Sequence, residues 1–131
     1  MDVDDMIHAR RFPDAVTSLG FGTDVHEIAP DDASPRVPEL PAGKRTRNCD
    51  IPYRCLLPKD LEGLLFAGRC ISGSHIAHSA YRVTGTCMAM GQAAGLAAAM
   101  AVKRDISPAR IDGSEVHAEL RKRGALFLPR A

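Results

Sequence analysis

The chain has 131 residues, with 17 Lys and Arg against 16 Asp and Glu, a formal net charge of +1, and 45% apolar and 25% charged residues. This is an ordinary globular composition, long enough for one domain at most, and so even a charge balance argues against nucleic acid or an anionic membrane as the main partner. The apolar residues form no long uninterrupted span, which argues against a membrane span, and residues 1–11 have no apolar core of the secretory kind, so a cytoplasmic location is expected.

Residues 1–50 are polar and turn-rich, with six Lys and Arg against ten Asp and Glu. Residues 5–11 finish or form a short helix, and residues 15–18 and 23–28 read as strands. Pro30, Pro35, Pro38, Pro41 and Gly43 make residues 30–44 an extended loop. The character changes at residue 51. Ile51-Pro52-Tyr53-Arg54-Cys55-Leu56-Leu57 reads as a short strand ending at Pro58, followed by a turn over residues 59–63. Leu64-Leu65-Phe66-Ala67-Gly68 is a continuous apolar run stopped by Gly, the pattern of a strand buried on both faces. A polar loop rich in Ser, Gly and His covers residues 69–85. Residues 86–103 are Ala-rich and predict a long helix. After a polar linker opened by Ser107-Pro108, the spacing predicts a final amphipathic helix with Ser114 as N-cap and Gly124 just past its basic last turn.

With no Trp and few other aromatic residues, the core must come from Leu, Ile, Val, Ala and Met. Cys49, Cys55, Cys70 and Cys87 lack Cys-x-x-Cys spacing, which argues against a zinc ribbon. Without a secretory signal an extracellular disulfide framework is also disfavoured.

Function concentrates between residues 64 and 103. Gly91 and Gly95 lie on one face of the long helix. Each costs roughly 1 kcal/mol relative to Ala, so each implies a compensating reason. Close helix–sheet packing and close approach of a large planar ligand near the N-terminal turn are compatible reasons. Thr84-Gly85-Thr86 precede or open the helix, where backbone N–H groups lack internal partners and suit an anion or an electron-rich carbonyl. Arg69 and Arg82 are the only formal charges between Phe66 and Val102. They read as an anion site or as two surface arginines. His75 and His78 are the proton-handling candidates, with metal binding or simple exposure on a loop as alternatives. Cys70 and Cys87 read as a redox pair or as small buried hydrophobes. His8, His26 and His117 form no constellation, and no nucleophile elbow, P-loop or G-x-G-x-x-G motif is present.

Residues 51–58, the run Leu64-Leu65-Phe66-Ala67-Gly68-Arg69-Cys70-Ile71-Ser72, Ser74 to His78, Arg82-Val83 and Thr86 to Gly95 together resemble the C-terminal portion of FAD-dependent oxidoreductases of the glutathione-reductase-like flavoprotein group. Residues 10–16 and 24–26 resemble the preceding substrate-side region, so the resemblance covers nearly the whole chain. It implies an α/β fold: a C-terminal fragment of a Rossmann-like FAD-binding domain, built as strand, loop and long helix, with part of a substrate domain. The organisation is then a substrate-side remnant over 1–50, the flavin-facing unit over 51–103 and a C-terminal linker and helix over 104–131. The cofactor implied is FAD, and the partners are a small-molecule substrate and the absent N-terminal FAD-binding part or a partner subunit. The cofactor-binding residues implied are Gly68, Arg69, Cys70, Arg82, Val83, Thr84, Gly85, Thr86 and Cys87, with His75 and His78 catalytic. Relatives often carry an acidic residue where this chain has Arg69, which would meet phosphate rather than ribityl hydroxyls. The glycine-rich turn that grips the ADP pyrophosphate is not in this sequence, so the chain alone is expected to be inactive and to be poorly soluble or oligomeric. Two other readings stand beside this one: a non-catalytic interaction fragment whose Ala/Gly helix packs on a partner, and a small Cys/His metal or redox module.

Overall fold

A computed structural model of the chain describes residues 1–25, 40 and 42–129. Helix α1 (Val3–Ile7) is followed by strands β1 (Ala15–Ser18) and β2 (Asp50–Pro52), then by helices α2 (His75–Tyr81), α3 (Thr84–Arg104) and α4 (Gly113–Lys122). Short 3-10 turns fill Tyr53–Leu56, Gly68–Cys70 and Pro108–Arg110. The architecture is helix-rich around a small two-stranded sheet.

The strands pair antiparallel, with Ala15 opposite Pro52, Thr17 opposite Ile51 and Ser18 opposite Asp50. A ribbon this short is not stable alone, and α3 and α4 both pack on β1 to cover it. Val16, Leu19, Ile51, Leu56, Met90, Val116 and Leu120 form the centre of one buried cluster. Asp50 is buried inside it and fully engaged. Its carboxylate accepts from Arg11 at 2.9 Å, from the Phe12 amide at 3.2 Å and from the Ser18 hydroxyl at 2.7 Å. Burial raises both tyrosines, Tyr53 to about 12. Their hydroxyls therefore stay protonated and donate, Tyr53 to the Pro108 carbonyl at 2.9 Å and Tyr81 to the Ile71 carbonyl at 3.2 Å.

Several expectations need correction. The strand expected over residues 51–57 ends at Pro52, which offers no N–H to prolong a ladder, and the chain curls into the 3-10 turn. The run 64–68 is not a buried strand. Leu64 is 42% exposed and Phe66 36%, and neither β1 nor β2 pairs with it. Its extended backbone is held by the Phe66 amide donating to the Leu56 carbonyl at 2.8 Å. An apolar run becomes a strand only where a neighbouring edge takes up its amides and carbonyls. The loop expected over 69–85 contains α2, because Ile76, Ala77, Ala80 and Tyr81 fall on one helical face and are buried. Of the strand expected over 23–28, residues 23–25 are not in a strand and the rest lies outside the described residues. The proline-rich loop also lies mostly outside them.

The long helix is present, starting two residues earlier than expected. By length and composition alone α3 could cross a membrane, with a mean hydropathy of 1.3 over its best window. In this fold Thr86, Met90, Ala93, Ala97 and Ala101 form a stripe buried on the core. Helix α4 is capped by Asp112, whose carboxylate accepts the Ser114 amide at 2.9 Å, and not by Ser114 itself. Gly124 ends it as expected, at φ +82°. The Gly124 amide donates to the Arg121 carbonyl and the Ala125 amide to the Leu120 carbonyl, both at 3.0 Å, the pairing of a Schellman stop.

Candidate functional site

The site is built where the Gly68–Cys70 turn meets the start of α3. Val83 is the N-cap residue of α3, and its apolar side chain makes no cap hydrogen bond. The first-turn amides of this 21-residue helix thus lack side-chain acceptors, and Thr84 and Gly85 are exposed. Unfilled N–H groups and the positive end of the helix dipole make this turn an acceptor for negative charge.

Gly68 adopts φ +71°, a left-handed conformation that side chains other than Gly resist. A Cβ at Gly68 would stand 3.6 Å from the Cβ and Sγ of Cys87, so the turn lies directly against the first turns of α3. The next residue clips the junction: Arg69 Nε donates to the Arg82 carbonyl at 3.2 Å. The Cys87 thiol points to the same end of α2, 3.5 Å from the Arg82 carbonyl. Gly68, Arg69, Thr84, Cys87 and Met88 line an open cavity of about 450 Å³.

The two arginines have different roles. Arg82 donates to the Asp24 carbonyl at 2.9 Å and pairs with the Asp24 carboxylate at 3.5 Å, so its charge is committed to the chain after β1. Arg69 makes no ion pair among the described residues and keeps its charge beside the cavity. The paired-arginine anion site thus reduces to one available cation next to one helix terminus.

The remaining predicted residues divide. Val83, Gly85 and Thr86 line a second cavity, about 530 Å³, on the other flank of the same helix start, together with the end of β1 and the chain after α4. Cys70 is exposed on the 3-10 turn and lines neither cavity. His75 is exposed and His78 half-buried, with the His78 ring edge-on to Tyr81 at 5.1 Å. Both lie on α2 rather than on a loop, and neither lines either cavity. Met88 was not anticipated from the sequence, although it lies one helical turn after Thr84. Phe21 and Leu126 could not have been found that way, because no periodicity links them to α3.

All four cysteines are free. Burial first, then Asp5 and Asp50, push the Cys49 thiol up to about 12, which leaves it inert. Cys70 is exposed, so the small-buried-hydrophobe reading fails for it. Among the described residues no group of three or more His, Cys, Asp or Glu could hold a metal ion. Gly91 and Gly95 are exposed, and a Cβ on either would meet nothing within 4 Å. The close packing that would explain them is not made among the described residues.

A family model described as FAD dependent oxidoreductase matches residues 1–120. Neither a curated protein nor a solved structure matches the chain.

Proposed function

Because the chain belongs to the FAD dependent oxidoreductase family, whose cofactor is FAD, we propose that it forms the flavin-facing C-terminal portion of an oxidoreductase of the glutathione-reductase-like group. The observation that carries the reading is the junction of the left-handed Gly68 with Cys87, which sets Arg69 beside the uncapped start of α3. This donor set fits the cofactor's chemistry. Arg69 supplies a charge for phosphate, and the first-turn amides supply donors for an electron-rich oxygen or nitrogen edge. When bound, FAD supplies a ring that takes up or returns a hydride. The chain's part is electrostatic. Fixed N–H dipoles stabilise negative charge that develops over them without having to reorganise. Gly68 lets the backbone pass close by, and Cys87 anchors that turn to α3. In the same reading His75 and His78 hold or release a proton for the substrate.

Two features support assembly with further polypeptide, either the N-terminal FAD-binding part of the same protein or a partner subunit. The extended run 64–67 carries exposed Leu64 and Phe66 and offers strand edges. The outer face of α3 carries Met88 and Val102, 70% and 83% exposed, beside Gly91 and Gly95. Added to a Rossmann-like sheet, the first becomes the buried strand its composition asks for, and the second packs closely through its glycines.

The test is co-production with an N-terminal FAD-binding polypeptide, reading flavin absorbance in the purified complex. Flavin is expected in the complex, and Gly68→Val is expected to lose it while the two polypeptides stay together. A wild-type flavin content in Gly68→Val removes the junction from the cofactor site. Association without flavin in the wild-type complex favours the interaction-fragment reading instead. His75→Ala and His78→Ala are expected to keep FAD and slow its reduction by substrate, and unchanged reduction in both variants ends their catalytic assignment.

A further inference from the structure

Helices α3 and α4 leave a groove of about 580 Å³ between them. Arg104, the last residue of α3, pairs with Glu115 in the first turn of α4, so the two helices run in opposite directions along it. Leu96, Ala99 and Met100 recur at i, i+3 and i+4 on α3 and form its floor together with Ala118 of α4. Leu96 and Met100 are half-buried against the edge of the core, and Ala99 and Ala118 are exposed. Charge marks both ends. Lys103 and Arg104 stand at one end with Glu115, and Lys122 and Arg123 stand at the other with Glu119. Glu115 pairs with Arg104, whereas Glu119 pairs with Arg123 at 2.9 Å and with Lys122 at 3.8 Å. Each end thus holds two cations against one carboxylate, a surplus of one positive charge. Lys103 makes no ion pair among the described residues. Basic residues in a last turn suit the helix dipole, but it is the opposed direction of α3 and α4 that sets both clusters on one apolar groove.

We infer that this groove docks an amphipathic helix of a partner polypeptide, one whose apolar stripe is flanked by acidic residues about two turns apart. A groove between two helices takes a third on its apolar floor. The alanines let that helix approach closely, and Met100 adapts its shape to the partner's side chains. The stretch of α4 from Glu115 to Lys122 is about 10 Å long. Acidic residues at i and i+7 of the partner then fall over the two basic ends, and apolar residues at i+3 and i+4 fall over the floor. Charge decides the occupant. A second copy docking through the same groove would set positive ends against positive ends, and a nucleic acid would use the cations and leave the apolar floor empty. The groove shares no lining residue with the Gly68 and Cys87 junction, so the inference stands apart from the cofactor reading.

The test titrates the 131-residue chain into a fluorescein-labelled, Ala-based helical peptide of about 15 residues and reads anisotropy. The peptide carries Glu at i and i+7 and Leu at i+3 and i+4, and a control peptide carries Lys in place of both Glu. Saturable binding of the acidic peptide is expected, with the basic control at least about tenfold weaker. Lys103→Glu and Lys122→Glu, both at exposed positions, are each expected to weaken the acidic peptide about fivefold. The double variant is expected to prefer the basic peptide, a reversal that a merely weakened fold would not produce. Ala118→Glu, also at an exposed helical position, sets a carboxylate on the floor and is expected to abolish binding while far-UV circular dichroism stays unchanged. An acidic peptide that never saturates, equal binding of the two peptides, unchanged affinity in both Lys variants, or full affinity in Ala118→Glu would each overturn the inference. Displacement of the bound peptide by phosphatidylserine vesicles would assign the surface to a lipid and overturn it as well.

Discussion

Two helical glycines show how differently the two sides of this molecule are finished. At Gly113, the first residue of α4, an added Cβ would stand 2.7 Å from the Cβ atoms of both Asp14 and Tyr53. At Gly95, in the middle of α3, it would meet nothing within 4 Å. The start of α4 is thus closed down to backbone contact against the chain beside β1, and the outer face of α3 is open. The same contrast runs along α3 itself. Met90 is completely buried, whereas Met88, two residues earlier, is 70% exposed. Two residues turn a helix by more than half a circle, so one methionine faces the core and the other faces away. What distinguishes the faces is the neighbour, since the residue types on both are small and apolar.

The contrast between the methionines gives the largest expected effect. Met90→Ala removes a fully buried side chain and is expected to cost about 3 kcal/mol in unfolding free energy. Met88→Ala is expected to change it by less than about 0.5 kcal/mol. Urea unfolding of the two variants measures both. Equal losses would mean that the outer face is already covered, for instance by a second copy, and the open-face description would fail.

The glycines sharpen the point, because one substitution should have opposite signs at two sites. Gly113→Ala places a methyl group where two Cβ atoms already stand, and neither is the movable end of a side chain. Backbone must shift, and a loss of about 2 kcal/mol is expected. Gly95→Ala adds a methyl group to open space and removes the entropic penalty of glycine in a helix. It is expected to stabilise the isolated chain by up to about 1 kcal/mol. If the outer face of α3 packs on the rest of a flavoprotein, the same Gly95→Ala should weaken that association. Thermal unfolding of the chain with and without the N-terminal polypeptide reads the two effects separately. A destabilised isolated chain would show that Gly95 is already in contact with something.

How much of this was legible in the sequence follows the range of the physical cause. Strand β1, α3 and the Gly124 stop rest on local pattern and turn chemistry, and each was found near its observed bounds. Helix α2 was also local, but His75, His78 and Ser79 obscured the apolar face made by Ile76, Ala77, Ala80 and Tyr81. The run 64–68 failed for a different reason. Its composition specifies a buried strand, and burial depends on a partner that composition cannot supply. The site divides in the same way. Gly68, Arg69, Thr84 and Cys87 sit at the two ends of one loop, and it was the family resemblance that grouped them. The pairing of Arg82 with Asp24 needs a contact across 58 residues, which no spacing rule carries.

The smallest effect belongs to the closed side and concerns charge. Asp112 caps α4, and its pKa is lowered first by the hydrogen bond from the Ser114 backbone amide and then by the Ser114 side chain. A folded-state pKa below the unfolded value means that the ionised form binds the cap more tightly than the protonated form. The stabilisation is therefore present above the unfolded value of about 3.9, and it is lost as pH falls through the lower folded value. Asp112→Asn keeps a side-chain acceptor for the Ser114 amide and removes only the charge beside the helix start. The wild-type chain is expected to melt slightly higher than Asp112→Asn at neutral pH, with the gap closing in acid as the pH falls through the lowered folded-state value. Melting temperatures of the pair across that range measure it. A gap that widens in acid would reverse the sign of the linkage and would mean that the protonated carboxyl, not the carboxylate, is what the start of α4 holds.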